Sequence, residues 1–124
     1  MQSNQPVYFS KVPEKLNGTI HLPSSKSISN RALILQALSN HQFAIENLSS
    51  AGDTQLLSQL LEHKEKTLDC GNAGTTLRFL TAYQAITPGK KVLTGTDRMK
   101  ERPIAQLVEA LQQLQGGPPV SLVQ

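Results

Sequence analysis

The sequence has no tryptophan, and only two tyrosines and three phenylalanines supply its aromatic side chains. Proteins that bind single-stranded nucleic acid need stacking platforms on a basic face. Tyr8, Phe9, Phe43, Phe79 and Tyr83 all stand outside any basic cluster. There is one cysteine, Cys70, which excludes an internal disulfide and fits a reducing compartment. His21, His41 and His63 lie far apart, with no ligand-like spacing to one another or to Cys70, so no metal-site pattern is present. No apolar run approaches the length of a membrane span, and the N-terminus lacks the charged start and apolar centre of a signal peptide. The net charge is only +3, a mild bias that suits acidic small molecules or phosphates rather than nucleic acid. These absences predict a cytoplasmic protein without nucleic-acid or membrane partners.

Hydrophobic residues make up 38% of the 124 positions. With so few aromatics the core must be built from Leu, Ile, Val and Ala, and it holds one ordinary domain of modest stability. Residues 1–16 are polar with two prolines and are expected to be a tail or a crossover, leaving 17–124 as the domain. Thr19–Leu22 alternates like a short strand ended by Pro23. From Ser27 to Leu38 the pattern is helical, with Ile28, Ala32, Ile34, Leu35 and Leu38 forming a broad apolar face. Phe43–Leu48 is a candidate second strand.

A helix is expected from about Asp53, carrying Leu56, Leu57, Leu60 and Leu61, and His63–Lys66 reads as its solvated end. A helix opening at Gly71–Thr76 places Leu77, Leu80, Tyr83 and Ile86 on one face, and Pro88-Gly89 stops it. Lys91–Thr94 reads as a strand and Gly95–Arg102 as a loop. The last helix has Pro103 in its first turn, Ile104, Leu107, Val108, Leu111 and Leu114 at helical spacing, and Gly116-Gly117 as its close. Pro119–Val123 is a candidate final strand. Strands alternating with helices predict an α/β fold of βα units.

Three loops at helix entrances carry the chemistry. In Ser24–Arg31, free backbone N–H groups at a helix start make a ready anion site. Ser27 and Arg31 share a face, Lys26 adds a point charge, and Arg31 offers a two-pronged grip. A serine cap with a solvated arginine accounts for the same residues equally well. Gly71-Asn72-Ala73-Gly74-Thr75-Thr76 is neither a P-loop nor a dinucleotide fingerprint. Gly74 permits close backbone approach, and Thr75 or Thr76 can cap the helix. Thr94–Pro103 sets Arg98, Lys100 and Arg102 around a helix start, the wrong end for cations on dipole grounds, with Arg102 best placed at its mouth.

In the stretches LPSSKSISNRALIL, GNAGTTLRFLTA and LTGTDRMKERPI the sequence resembles, in order, the motifs of the 5-enolpyruvylshikimate-3-phosphate synthase family. The sister family acting on UDP-N-acetylglucosamine lacks the Ser-Lys-Ser…Asn-Arg run. The resemblance covers most of residues 17–115. It implies an inside-out α/β barrel domain, present incompletely, in an enzyme whose two domains are built from repeated βαβαββ units. It also implies transfer of the enolpyruvyl group of phosphoenolpyruvate to the 5-hydroxyl of shikimate 3-phosphate, with no metal or organic cofactor.

By resemblance, Lys26 is catalytic and touches both substrates, and Ser27 and Arg31 hold shikimate 3-phosphate. Gly74 and Arg102 line the phosphoenolpyruvate pocket, with Asn72 and Thr75 nearby. Phe79 stands where many members place proline, on the glyphosate-facing side of its helix. The family's long strand-rich segment between the Asp53 helix and Gly71 is reduced here to a short link from His63 to Cys70. The second-domain motifs, with the carboxylates and lysine that carry proton transfer in the family, are not among these residues. The resemblance thus implies an N-terminal, internally shortened piece that needs the rest of the enzyme and is inactive alone.

Overall fold

Serines ahead of an apolar run set where the first helix begins. Helix α1 spans Lys26–Leu38, and the hydroxyl of its N-cap Ser25 accepts from the Ile28 N–H at 3.4 Å, satisfying one of the orphan donors of the first turn. The structure, a computed structural model, describes residues 8, 11, 14, 15, 17–39, 43–114 and 120–122. After α1 come α2 (Gly52–Glu62), β1 (Thr67–Asp69) and α3 (Gly74–Ile86), then β2 (Val92–Thr94), α4 (Asp97–Lys100) and α5 (Ala105–Gln113). Strands β1 and β2 pair in parallel, with Leu68 opposite Leu93. A parallel pair needs a crossover, and α3 supplies it, so β1-α3-β2 is a βαβ unit. Among the described residues no helix is long and apolar enough to cross a membrane.

The three long helices follow the expected boundaries closely, but the strands do not. Thr19–Leu22 joins no sheet. Ile20 and Leu22 are exposed, and an extended segment without a neighbour has nothing to pair with. Phe43–Leu48 is likewise no strand: Asn47 has φ +53, a left-handed turn that breaks the extended run, while Ile45 and Leu48 pack against the core. Strand β1 falls instead inside the supposed link. Residues 95–102 contain a short helix, α4, rather than being all loop. Helix α5 begins two residues after Pro103, whose carbonyl accepts from Arg78. Leu114 is the exposed cap of α5 rather than part of its buried face. Val120–Leu122 is no strand, and Gly116, Gly117, Pro119 and Val123 lie outside the described residues.

The core gathers Leu33, Leu57, Leu60, Leu68, Cys70 and Leu80. The expected apolar face of α1 is buried only in part: Ile34 packs against the core, but Ile28 and Leu35 are 71% and 64% exposed, while Ser29, Asn30 and Leu33 are buried. Hydrogen bonds explain the difference, because buried polar groups are tolerated when paired. Ser29 Oγ accepts from the Ser49 N–H at 3.0 Å, and Thr54 Oγ1 donates to Asn30 Oδ1 at 2.7 Å. Thr76 Oγ1 donates to the Asp53 carbonyl at 3.2 Å. These bonds lock the first turns of α1, α2 and α3 together.

Asn30 Nδ2 has no partner among the described residues, so the amide depends on Thr54 alone. Thr54→Val is therefore expected to cost about 1–3 kcal/mol of stability, the typical penalty of a stranded buried polar group. Urea unfolding checks this, and a loss near zero would mean the amide finds another donor.

Candidate functional site

Because the first turns of α1, α2 and α3 meet, the residues singled out in the sequence fall into two groups at the helix entrances. Lys26, the first residue of α1, forms an ion pair with Asp53 in the first turn of α2 at 2.9 Å. Arg31 lies four residues after Ser27 and donates through Nη1 to the Ser27 carbonyl at 3.0 Å and to its hydroxyl. The Arg31 guanidinium also stands 5.8 Å from the centre of the Phe79 ring, within reach of a cation–π contact. Ser27 and Arg31 thus share a face as expected, and Lys26 gains an acidic partner that the local sequence does not reveal.

The second group is built on the ends of the two strands. Cys70 N–H donates to the Thr94 carbonyl at 2.8 Å, and Thr96 N–H to the Gly71 carbonyl at 3.1 Å. Gly71 has φ +50, and its N–H donates to Asp69 Oδ1 at 2.8 Å. A Cβ on Gly95 would lie 2.6 Å from the Gly71 carbonyl oxygen, so only glycine lets the two turns close this tightly. Asn72 Oδ1 accepts from the Thr96 hydroxyl.

Helix α3 then starts at buried Gly74 with no side-chain cap. This corrects the expectation that Thr75 or Thr76 caps it, since Thr76 reaches Asp53 instead and Thr75 is exposed. An uncapped start leaves N–H groups and the positive end of the helix dipole for an anion.

Arg102 completes this group. Its Nη1 lies 2.7 Å from where a Cβ on Gly74 would stand. Nothing among the described residues forms a hydrogen bond or ion pair with its guanidinium. Arg98 and Lys100 belong to the single turn of α4, and Lys100 pairs with Asp97 at 3.0 Å. Of the three cations, it is Arg102 whose guanidinium lies against the start of α3.

Arg78 was missed. Its Nη1 donates to the Gly74 carbonyl at 3.3 Å and its Nη2 to the Pro103 carbonyl at 2.8 Å. Only its spacing of four from Gly74 could have signalled this. The sequence marks Asp53 only as a helix start. Among the described residues no hydrogen bond or ion pair joins Lys26 or Arg31 directly to Arg102. The two groups are linked through Asp53 and Thr76.

A cavity of about 580 Å³ opens between α3, β2 and α5. Its lining is mixed: Leu77, Leu93, Met99 and Val108 give it an apolar floor, and Lys90, Lys91, Lys100 and Arg102 also contribute to its wall. Among the described residues no three His, Cys, Asp or Glu side chains gather as metal ligands. Cys70 is fully buried. Burial first, and the Asp69 charge second, push its thiol up from 9.0 to about 11. It is accordingly no nucleophile near neutral pH. Alkylation of Cys70 at pH 8 is expected to run about a hundredfold slower in the folded chain than in urea, from the lost thiolate alone. Equal rates by timed mass spectrometry would place the thiol at the surface.

The family model for EPSP synthase (3-phosphoshikimate 1-carboxyvinyltransferase) matches residues 10–63 and 57–116. A 3-phosphoshikimate 1-carboxyvinyltransferase from Bacteroides fragilis (strain YCH46) is 49% identical over 107 residues, covering 86% of this chain and 26% of that protein. The enzyme of that name from Colwellia psychrerythraea is 42% identical over 126 residues, covering 81% and 30%. The one from Buchnera aphidicola is 39% identical over 125, covering 79% and 29%. The chain thus spans less than a third of the length of these curated relatives.

The two family-model matches overlap at residues 57–63, at the end of α2. The Colwellia and Buchnera alignments run longer while covering less of this chain. The Bacteroides match consumes the chain residue for residue, so the short link is shared with that relative. With the motifs at the helix entrances and the family pattern matched along nearly all of residues 10–116, the chain belongs to the EPSP synthase family.

Proposed function

We propose that this chain supplies part of both substrate pockets of a 3-phosphoshikimate 1-carboxyvinyltransferase. That enzyme moves the enolpyruvyl group of phosphoenolpyruvate to the 5-hydroxyl of shikimate 3-phosphate in aromatic amino-acid biosynthesis. The observation that carries the reading is the Arg102 guanidinium, without a partner among the described residues, lying against the uncapped start of α3 at Gly74. A free fork beside a helix N-terminus suits a phosphate or carboxylate. In this reading Gly74 and Arg102 hold phosphoenolpyruvate, with Asn72 and Thr75 at its margin. Ser27 and Arg31 hold shikimate 3-phosphate, and Lys26 serves both and acts in the chemistry. Both substrates are polyanions, and preorganised cations stabilise charge that moves during transfer.

Residues 17–124 form part of an inside-out α/β barrel domain, residues 1–16 a tail or crossover, and the enzyme works in the cytoplasm without a cofactor. Positioning and acid–base groups from a facing domain are needed for turnover. The purified chain is therefore expected to release no phosphate from the two substrates, and to regain turnover when mixed with the remaining portion of a family member. Binding without regained turnover would favour the alternative, an anion-binding module with no catalysis of its own. Robust turnover by the chain alone would overturn the need for a second domain.

A further inference from the structure

We propose that Arg78 is a positioning residue that holds the Arg102 guanidinium at the mouth of α3; the inference rests on the reading of Arg102 as a phosphoenolpyruvate contact. Arg78 is half-buried on α3, and its fork spans two backbone carbonyls, those of Gly74 and of Pro103, the residue directly after Arg102. It therefore ties the first turn of α3 to the segment that carries Arg102. The tips of the two arginines lie side by side: the Cβ position of Gly74 is 2.7 Å from Arg102 Nη1 and 3.2 Å from Arg78 Nη1.

Two like charges so close repel. Carbonyl acceptors on both arms compensate Arg78, and Arg102 has no such acceptor among the described residues. By occupying the Gly74 and Pro103 carbonyls, Arg78 denies them to Arg102 and leaves that fork turned outward for an anion. Lysine keeps the charge but, as a point donor, cannot bridge two carbonyls at once. Arg78→Lys therefore separates the fork from the charge.

The test uses the ¹⁵N-labelled chain, following the Arg102 Nε–Hε resonance with and without phosphoenolpyruvate. Wild type is compared with Arg78→Lys, Arg102→Ala and the double variant, and Arg78→Gln replaces the lysine variant if that chain does not fold. Arg78→Lys is expected to shift and broaden the Arg102 resonance before any ligand is added. It should also weaken phosphoenolpyruvate binding about tenfold, with the double variant no weaker than Arg102→Ala alone. An unmoved Arg102 resonance in the lysine variant, even with a lower melting temperature, would reduce Arg78 to a structural tie and overturn the proposal. Losses that simply add in the double variant would overturn it too. A moved resonance in a chain whose wild type does not bind phosphoenolpyruvate would leave the positioning role standing and bring down the pocket reading instead.

Discussion

Replacing Arg102 with alanine is expected to weaken phosphoenolpyruvate binding by about 2–3 kcal/mol, roughly 30- to 150-fold, the usual cost of losing charge-assisted hydrogen bonds to an anion. The side chain is exposed and makes no hydrogen bond within the described chain, so its removal strands no internal partner. Folding stability should therefore change by no more than about 0.5 kcal/mol, as at other surface positions. Shikimate 3-phosphate binding should hold, because its proposed contacts sit on α1. The measurement is a pair of titrations with the two substrates, or the two Michaelis constants in a complete enzyme carrying these residues. An unchanged constant for phosphoenolpyruvate would remove Arg102 from the pocket. Equal losses for both substrates would mean that the substitution disturbs the fold rather than a contact.

Gly74 belongs to the same device. The sequence suggests that its missing side chain admits a ligand, but what comes close here is the Arg102 guanidinium. A methyl group on Gly74 would collide with the flexible end of a side chain rather than with backbone. It would therefore displace Arg102 and also crowd Arg78 Nη1, 3.2 Å from the same position.

Local signals explain what was legible in the sequence. Helix α1 opens where Ser25 can cap it, α2 where Gly52-Asp53 announces it, and α3 stops short of Pro88-Gly89. Each of those signals acts within one turn of the residue that carries it. Strand β1 gave no such signal: three residues are too few for an alternation, and its pairing with β2 joins positions on either side of a whole helix.

The apolar face of α1 misled for a related reason. Periodicity assigns the buried side to Ile28 and Leu35, yet hydrogen bonds from Ser49 and Thr54 draw Ser29 and Asn30 inward. Those partners lie 20 and 24 residues away. The site divides in the same manner. Ser27 with Arg31 follows from helical spacing, whereas the Lys26–Asp53 pair and the Arg78 bridge to Pro103 exist only once three helices have met.

The second large effect is on stability and sets these two faces against each other. Leu80 is fully buried at the centre of α3, which packs against α1, α2, α5 and β2. Leu80→Ala should cost about 3–5 kcal/mol, the transfer of the lost methyl groups out of the core plus the cavity they leave. Total stability in a chain of this size is only about 5–15 kcal/mol, so a drop of that size shifts the unfolding midpoint far and can leave much of the chain unfolded at 37 °C.

Leu35→Ala provides the contrast. The sequence pattern counts Leu35 as core and predicts a comparable loss. At 64% exposure the side chain has little contact to lose, and the change should stay within about 0.5 kcal/mol. Urea denaturation of both variants by circular dichroism decides between the two faces. If the Leu35 variant fell as far as the Leu80 variant, α1 would be turned over, with Ile28 and Leu35 inward and Asn30 in water. The hydrogen bonds that bring the three helix entrances together would then be lost, and the anion site with them.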